Sequence, residues 1–225
     1  MGGAAVDIRM PKIELREALH FLGWRGTPID ERTITDVRAA IEEACAGCEP
    51  RVVFRRFSLD DNLLVGTTFA PAGKDVAKML LGCKEAVLIA GTLGAESERL
   101  LLRAQAKDAA HALLLDAALS AGIEAVMDAQ EDTLRAQIEA EGLFLTDRFS
   151  PGYGDMPIAQ TREICEVLGA QRSIGLTVSA SGLMIPRKSV TAIMGVSGEP
   201  VARRAKGCAG CTAKACALRR NGRER

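Results

Sequence analysis

The sequence predicts an α/β fold of the α+β type, a mainly antiparallel sheet packed by helices, with a short Cys-rich C-terminal tail. Three observations carry that expectation. Residues 51–59 alternate Val52, Phe54 and Arg56 against Val53, Arg55 and Phe57, and a second strand-like run at 64–69 follows Asp60-Asp61-Asn62. This is the pattern of an antiparallel hairpin. Residues 86–90 are a continuous apolar run, as a buried strand has. Residues 95–141 hold no proline and only Gly122, too long a stretch for one ordinary helix, so two or three are expected.

Taken in order, residues 11–22 read as a helix with Pro11 in its first turn, Gly23 past its end, and Leu15, Leu19 and Leu22 on one face. Trp24 follows as a packing anchor. Asp30 stands where a second helix needs its N-cap, and that helix turns Ile34, Val37, Ile41 and Cys45 inward. Cys45 and Cys48 have a spacing that two ligands of one metal can share, but a core thiol beside the helix end accounts for them better. Val76, Met79, Leu80 and Cys83 mark a short helix ahead of the buried strand. Gly91-Thr92-Leu93-Gly94 then makes a tight strand-to-helix turn. Such a junction can hold an anion on free backbone N–H groups. The third glycine and later acid of the dinucleotide fingerprint are not in place, and the glycine-rich turn of Rossmann-type methyltransferases is absent. Within the helical stretch, breaks are expected around 106–108 and near Gln130. The Ala-rich part, 109–127, is apolar nearly all round and becomes the central buried helix. His111 within it reads as a satisfied core histidine. Further on, 161–168 is helical with Cys165 buried, and 174–180 and 189–196 are strands, with Pro186 at an edge or bend between them. Arg187 and Lys188 are either solvated turn charges or part of an anion site.

Composition excludes several classes. The chain of 225 residues has a formal net charge of zero, which gives no reason to expect nucleic acid or a membrane surface as partner. No apolar run approaches the ~18 residues of a membrane span, and no export signal opens the chain. A cytoplasmic protein with reduced thiols is the expectation for its seven cysteines. No nucleophile–base pair or paired carboxylates emerge, so hydrolysis finds no support.

Two segments carry chemistry. In Arg148-Phe-Ser-Pro-Gly-Tyr-Gly-Asp-Met-Pro157, Arg148 offers a planar fork of donors for a carboxylate and Ser150 a hydroxyl. Pro151 fixes one turn dihedral, while Gly152 and Gly154 allow a sharp turn or a close approach to a ligand. Tyr153 is the single tyrosine. The set suits a small ligand with a carboxylate and a flat ring, but residue chemistry alone favours an ordinary strand-ending turn with Tyr153 packed and Arg148 solvated. The second segment is the tail, where Cys208, Cys211 and Cys216 lie among basic residues. Three thiols so close have the spacing of metal ligands, for zinc or an iron–sulfur centre, although neither common ferredoxin spacing fits. A reactive tail without metal fits the same residues.

The 148–155 run, together with Ile174-Gly-Leu-Thr-Val-Ser and Met184-Ile-Pro-Arg-Lys-Ser-Val-Thr, resembles the activation (reactivation) domain of cobalamin-dependent methionine synthase, and more closely the small stand-alone proteins of that family. The likeness runs from Leu22-Gly23-Trp24-Arg25-Gly26 to the tail and is sharpest between residues 142 and 197. It implies a curved antiparallel sheet over residues 1–200, followed by a basic Cys-rich tail at 201–225. It also implies S-adenosylmethionine binding by Arg148, Ser150, Gly152 and Tyr153. Stand-alone members often look similarly Cys-rich at this end, in keeping with a metal held by Cys208, Cys211 and Cys216. Where the fused domains carry an acid after the Thr or Ser of the 174–180 segment, this chain has Ala180, so no contact is carried over there.

The function so implied is methylation of a corrinoid held by another protein, in support of methionine biosynthesis. Only His20 and His111 are present, neither in the Asp-x-His-x-x-Gly context of corrinoid carriers, so the cobalamin is expected on a partner. That partner is a corrinoid-binding methyltransferase such as a methionine synthase without its own activation domain. A reductant protein such as flavodoxin or ferredoxin supplies the electron, and S-adenosylmethionine the methyl group. Two other readings stay open: a non-catalytic docking module that senses S-adenosylmethionine, and a metal or iron–sulfur electron-transfer protein centred on the tail.

Overall fold

The computed structural model describes residues 5–24 and 28–201. Its elements are β1 (Ala5–Asp7), α1 (Leu15–Phe21), α2 (Glu31–Gly47), β2 (Arg51–Asp60), β3 (Leu63–Leu64), α3 (Lys74–Leu80), β4 (Cys83–Thr92), α4 (Ala95–Lys107), α5 (Ala109–Ala140), β5 (Phe144–Leu145), α6 (Gln160–Leu168), α7 (Ala170–Ile174), β6 (Thr177–Val178), β7 (Met184–Ile185) and β8 (Ser189–Ser197). The strands β1-β2-β4-β8-β5 form one curved antiparallel sheet in that order, and β3 pairs with the end of β2. The α+β class and the antiparallel curved sheet are as expected.

Alternation along the strands builds two cores. Val87 and Ile89 of β4 join Val52, Ala192 and Met194 on one face. Ala86, Leu88 and Ala90 join Val53, Phe57 and Ile193 on the other. A strand buried on both sides has no polar face to show, which is why 86–90 reads as unbroken apolar sequence. The first face is covered by α5, with α1, α2 and α4 packed against it, and the second by α3, α6 and α7. Gly91 lets α5 come close: a Cβ there would stand 2.4 Å from Met127 Sδ.

Helix limits follow local chemistry. Asp30 caps α2 by accepting from the Thr33 N–H at 2.9 Å. Asp108 is extended (φ −153°, ψ 109°) and its carboxylate accepts from the Ala110 N–H at 2.8 Å, which ends α4 and starts α5 at the expected break. His111, in the first turn of α5, is satisfied by Glu43, with Nε2 2.7 Å from Oε2.

Several expectations change. Residues 11–14 lie outside the helix, which starts at Leu15 after an extended Glu14 (φ −75°, ψ 131°), and Ile13 is buried in the first core ahead of it. Of the 64–69 run only its start follows β2, with Leu64 opposite Leu59 and the Val65 N–H donating to the Ser58 carbonyl at 2.9 Å, after a turn in which Asp61 and Asn62 both have positive φ. Cys83 opens β4 instead of closing α3. There is no break near Gln130, so α5 runs for 32 residues, about 48 Å. The strand expected at 174–180 shrinks to Thr177–Val178, paired with Met184–Ile185 in a separate ribbon. Ile174 ends α7, Gly175 is left-handed at φ 72°, and Leu176 returns to the second core, so the alternation came from a turn between two buried residues. Finally, α5 is long and apolar enough to span a membrane by length and composition, with mean hydropathy 1.4 over its best window. Of that window 56% is buried inside the protein, and a core helix meets the same test.

Candidate functional site

Past β5 the chain stays on the edge of β8. The Thr146 N–H donates to the Gly195 carbonyl at 2.9 Å, and the Gly195 N–H returns a bond to Thr146 Oγ1 at 2.8 Å. Phe149 exchanges two backbone bonds of 2.9 Å with Ile193 and buries its ring in the second core. Its neighbour Arg148 takes the opposite side, toward α5.

There α5 presents a stripe of polar residues at helical spacing: Asp116, Ser120, Glu124, Asp128 and Glu131. Arg148, its side chain 13% exposed, donates from Nε to Glu131 Oε2 at 2.9 Å and from Nη2 to Asp128 Oδ1 at 2.7 Å, with Glu124 Oε2 at 3.4 Å. Glu131 is buried, whereas Asp128 and Glu124 remain 43% and 46% exposed. Among the described residues no hydrogen bond reaches Arg148 Nη1. Further down the stripe, Lys188 Nζ lies 2.8 Å from Asp116 Oδ1 and donates to Ser120 Oγ at 2.7 Å. Arg187 pairs with Glu98 of α4 at 3.2 Å. Lys188 therefore shares the stripe with Arg148, at positions 116 and 120, about 6 to 12 Å along the helix from Glu124, and both basic residues are bound to helix carboxylates.

The turn itself follows from its residues. The Tyr153 N–H donates to the Ser150 carbonyl at 3.1 Å across Pro151 and Gly152, and Gly152 has φ 90°. Proline followed by a glycine of positive φ is the type II arrangement. Pro151 is buried, Ser150 half-buried, and Tyr153 stands 68% exposed. No hydrogen bond among the described residues engages the hydroxyl of Ser150 or Tyr153. An ordinary turn with Tyr153 packed and Arg148 solvated is thus the reverse of what is present.

Gly154 meets α3 rather than a ligand, since a Cβ there would lie 2.4 Å from Asp75 Oδ2. Asp155 accepts from the Lys74 and Asp75 N–H groups at 2.7 and 3.0 Å. Those bonds hold its carboxyl below the ordinary value of 3.8. Gln160 adds a second clamp, donating to the Ala70 carbonyl at 2.9 Å and accepting from the Ala72 N–H at 2.8 Å. Ala180 is exposed in the turn between β6 and β7.

Sequence reasoning missed the acidic side of this site. The available signal was carboxylates at 124, 128 and 131 within an otherwise apolar helix. Cys208, Cys211 and Cys216 lie outside the described residues. Among the described residues no group of three or more His, Cys, Asp or Glu side chains is placed to hold a metal. Burial pushes the Cys48 thiol up to about 12 and that of Cys165 to about 11, and it raises Cys45 and Cys83 as well. The Cys45–Cys48 pair is thus made of protonated, partly or fully buried thiols.

No protein-family model matches the chain, and no curated protein matches it. Among solved structures, a crystal structure of the MetH reactivation domain bound to AdoHcy is 15% identical and aligns over 90% of this chain and 80% of that chain, with a TM-score of 0.62. In its fold the chain is similar to the MetH reactivation domain.

Proposed function

We propose that this protein binds S-adenosylmethionine at the Arg148–Tyr153 turn and uses it to methylate a corrinoid carried by a partner protein. The observation that carries this reading is the pairing of charges around Arg148. The fork keeps Nη1 for a further acceptor, such as the ligand carboxylate, and the carboxylates of Glu124, Asp128 and Glu131 around Arg148 give the site an acidic rim that favours a ligand with cationic α-ammonium and sulfonium groups. Ser150 and the exposed face of Tyr153 supply a hydroxyl and a flat surface at the other end of the turn. The sequence resemblance and the fold likeness, whose solved example holds AdoHcy, support the same ligand class.

The chemistry asks little of acid–base side chains. A partner corrinoid in the cob(II) state takes one electron from a reductant such as flavodoxin or ferredoxin. It then attacks the sulfonium methyl, so that one S–C bond breaks, one Co–C bond forms, and S-adenosylhomocysteine leaves as a neutral thioether. The residues named here bind and orient the donor, which is how positioning alone gives large rate gains. The setting we propose is cytoplasmic, with the electron donor, the corrinoid-binding methyltransferase and a tail metal at Cys208, Cys211 and Cys216 as further proposals.

A second reading, a docking module that senses S-adenosylmethionine without turnover, is favoured by the exposed apolar side chains flanking the turn, Tyr153 and Ile158 (61% exposed). One experiment separates the two. Calorimetry should show S-adenosylmethionine binding, weakened roughly 10- to 150-fold by Arg148→Ala, as loss of a charge-assisted contact implies. With a corrinoid methyltransferase and a low-potential reductant, the cob(II) spectrum should then give way to methylcob(III), more slowly with Arg148→Ala. Binding with unchanged cob(II) across several cognate partners selects the sensor. No binding refutes both. Conversion that is lost on deletion of residues 202–225 and restored by a chemical reductant would place electron transfer in the tail.

A further inference from the structure

Resting on the ligand reading above, we infer that Glu131 is a positioning residue for Arg148, fixing which edge of the guanidinium meets the ligand carboxylate. Glu131 is 2% exposed and divides its carboxylate between two arginines. Oε2 accepts from Arg148 Nε at 2.9 Å, and Oε1 accepts from Arg135 Nη2 at 2.9 Å. Arg135 is itself buried and donates to the Leu145 carbonyl, and at 3.3 Å to the Thr146 carbonyl, on the edge strand that leads into Arg148. One desolvated carboxylate thus registers both the backbone leading to the site and the side chain at the site against α5.

The division of roles follows from exposure. The Nη2 contacts of Arg148 go to Asp128 and Glu124, both nearly half exposed, so water screens these pairs. The Nε contact goes to a carboxylate with nowhere to move. A guanidinium is planar, so pinning Nε inside and Nη2 along the helix leaves Nη1 as the remaining corner, and its direction is then set. Without the negative charge at 131, the two guanidiniums would face each other across a buried amide, and Arg148 would be held by its water-screened contacts alone.

The test is a double-mutant cycle on S-adenosylmethionine binding, using wild type, Glu131→Gln, Arg148→Ala and the double variant, with thermal melts to establish the folded fraction. Glu131→Gln should weaken binding about tenfold in the wild-type background and by less than about twofold where Arg148 is already alanine. Glu131→Asp should restore part of the loss. Decarboxylated S-adenosylmethionine should bind wild type and Glu131→Gln equally, because it lacks the group that Arg148 meets. Equal losses in both backgrounds, or an equal loss for the decarboxylated analogue, would show a general structural role and overturn the inference. If Glu131→Gln does not fold, the cycle runs with Glu131→Asp. The wild type alone gives a further reading: the Arg148 Nε–H should exchange slowly in 15N NMR with and without ligand. Exchange as fast as that of an exposed arginine overturns the inference while leaving the ligand reading intact. Absence of wild-type binding overturns both.

Discussion

Asp155 ties the recognition turn to α3 by accepting both N–H groups of that helix's first turn. Gly73 and Gly154 make this possible, since a Cβ on either would stand within 2.6 Å of the carboxylate oxygen it faces. The bonds are stronger to the ionised carboxylate than to the protonated one, so the Asp155 pKa is depressed below 3.8. A depressed folded-state pKa means stabilisation that is complete above the unfolded value and is lost as pH falls through the folded one. The protection of the Lys74 and Asp75 amides, measured against their intrinsic exchange rate at each pH, should therefore fall only below about pH 3.8, and Asp155→Ala should give severalfold lower protection already at neutral pH. Exchange that is unchanged in the variant would show that the α3 turn is held by other contacts. At this scale the Pro151–Gly152 turn was legible from residue type, whereas residue chemistry alone pointed to a packed Tyr153 and a solvated Arg148, the reverse of what the fold presents. The partners of Arg148 were not legible. Which face of a helix that is apolar nearly all round meets the edge of β8 depends on tertiary packing, and no local spacing reports it.

At the scale of elements, the buried strand β4 and the cap-defined start of α5 were readable because burial on two faces and Asp108 each leave a local mark. The edge segment at 144–149 was not, being held beyond β5 by three backbone bonds to β8 and the Thr146 hydroxyl rather than by a strand-like pattern. The same limit applies at 174–180, where Ile174 and Leu176 flank a left-handed Gly175 and imitate a strand period. Packing between elements yields a sharper expectation at Gly91. A Cβ there would meet Met127 Sδ at 2.4 Å and Val52 Cγ2 at 3.2 Å, in the layer where α5 lies closest to the sheet. Gly91→Ala should destabilise the fold by about 1–3 kcal/mol, the usual range for overpacking. Shortening the opposing side chain in Gly91→Ala/Met127→Ala should recover part of that loss relative to the sum of the single changes. Chemical denaturation of the four proteins gives the coupling directly, and strict additivity would mean that the two residues do not share the contact.

Across the whole molecule, each core carries a buried thiol. Cys48 lies beneath the end of α2 in the first core, and Cys165 on α6 in the second. Burial disfavours the thiolate at both, raising them to about 12 and about 11, while an unfolded chain ionises near 9.0. A raised folded-state pKa means stabilisation that is fully present below the unfolded value and is lost as pH rises through the folded one. Stability should accordingly be flat through neutral pH and fall between about pH 9 and pH 12, with Cys45 and Cys83 contributing in the same direction. Thermal melts across that window check the slope, and Cys165→Ala should make it shallower even as the lost side chain lowers stability at every pH. The same protonation should make these thiols slow to alkylate at neutral pH in the folded protein and fast in denaturant, because the thiolate is the nucleophile. Rapid labelling of Cys48 or Cys165 in the native state at pH 7 would show that one of the two cores opens on its own, and would locate which face of the sheet is the weaker.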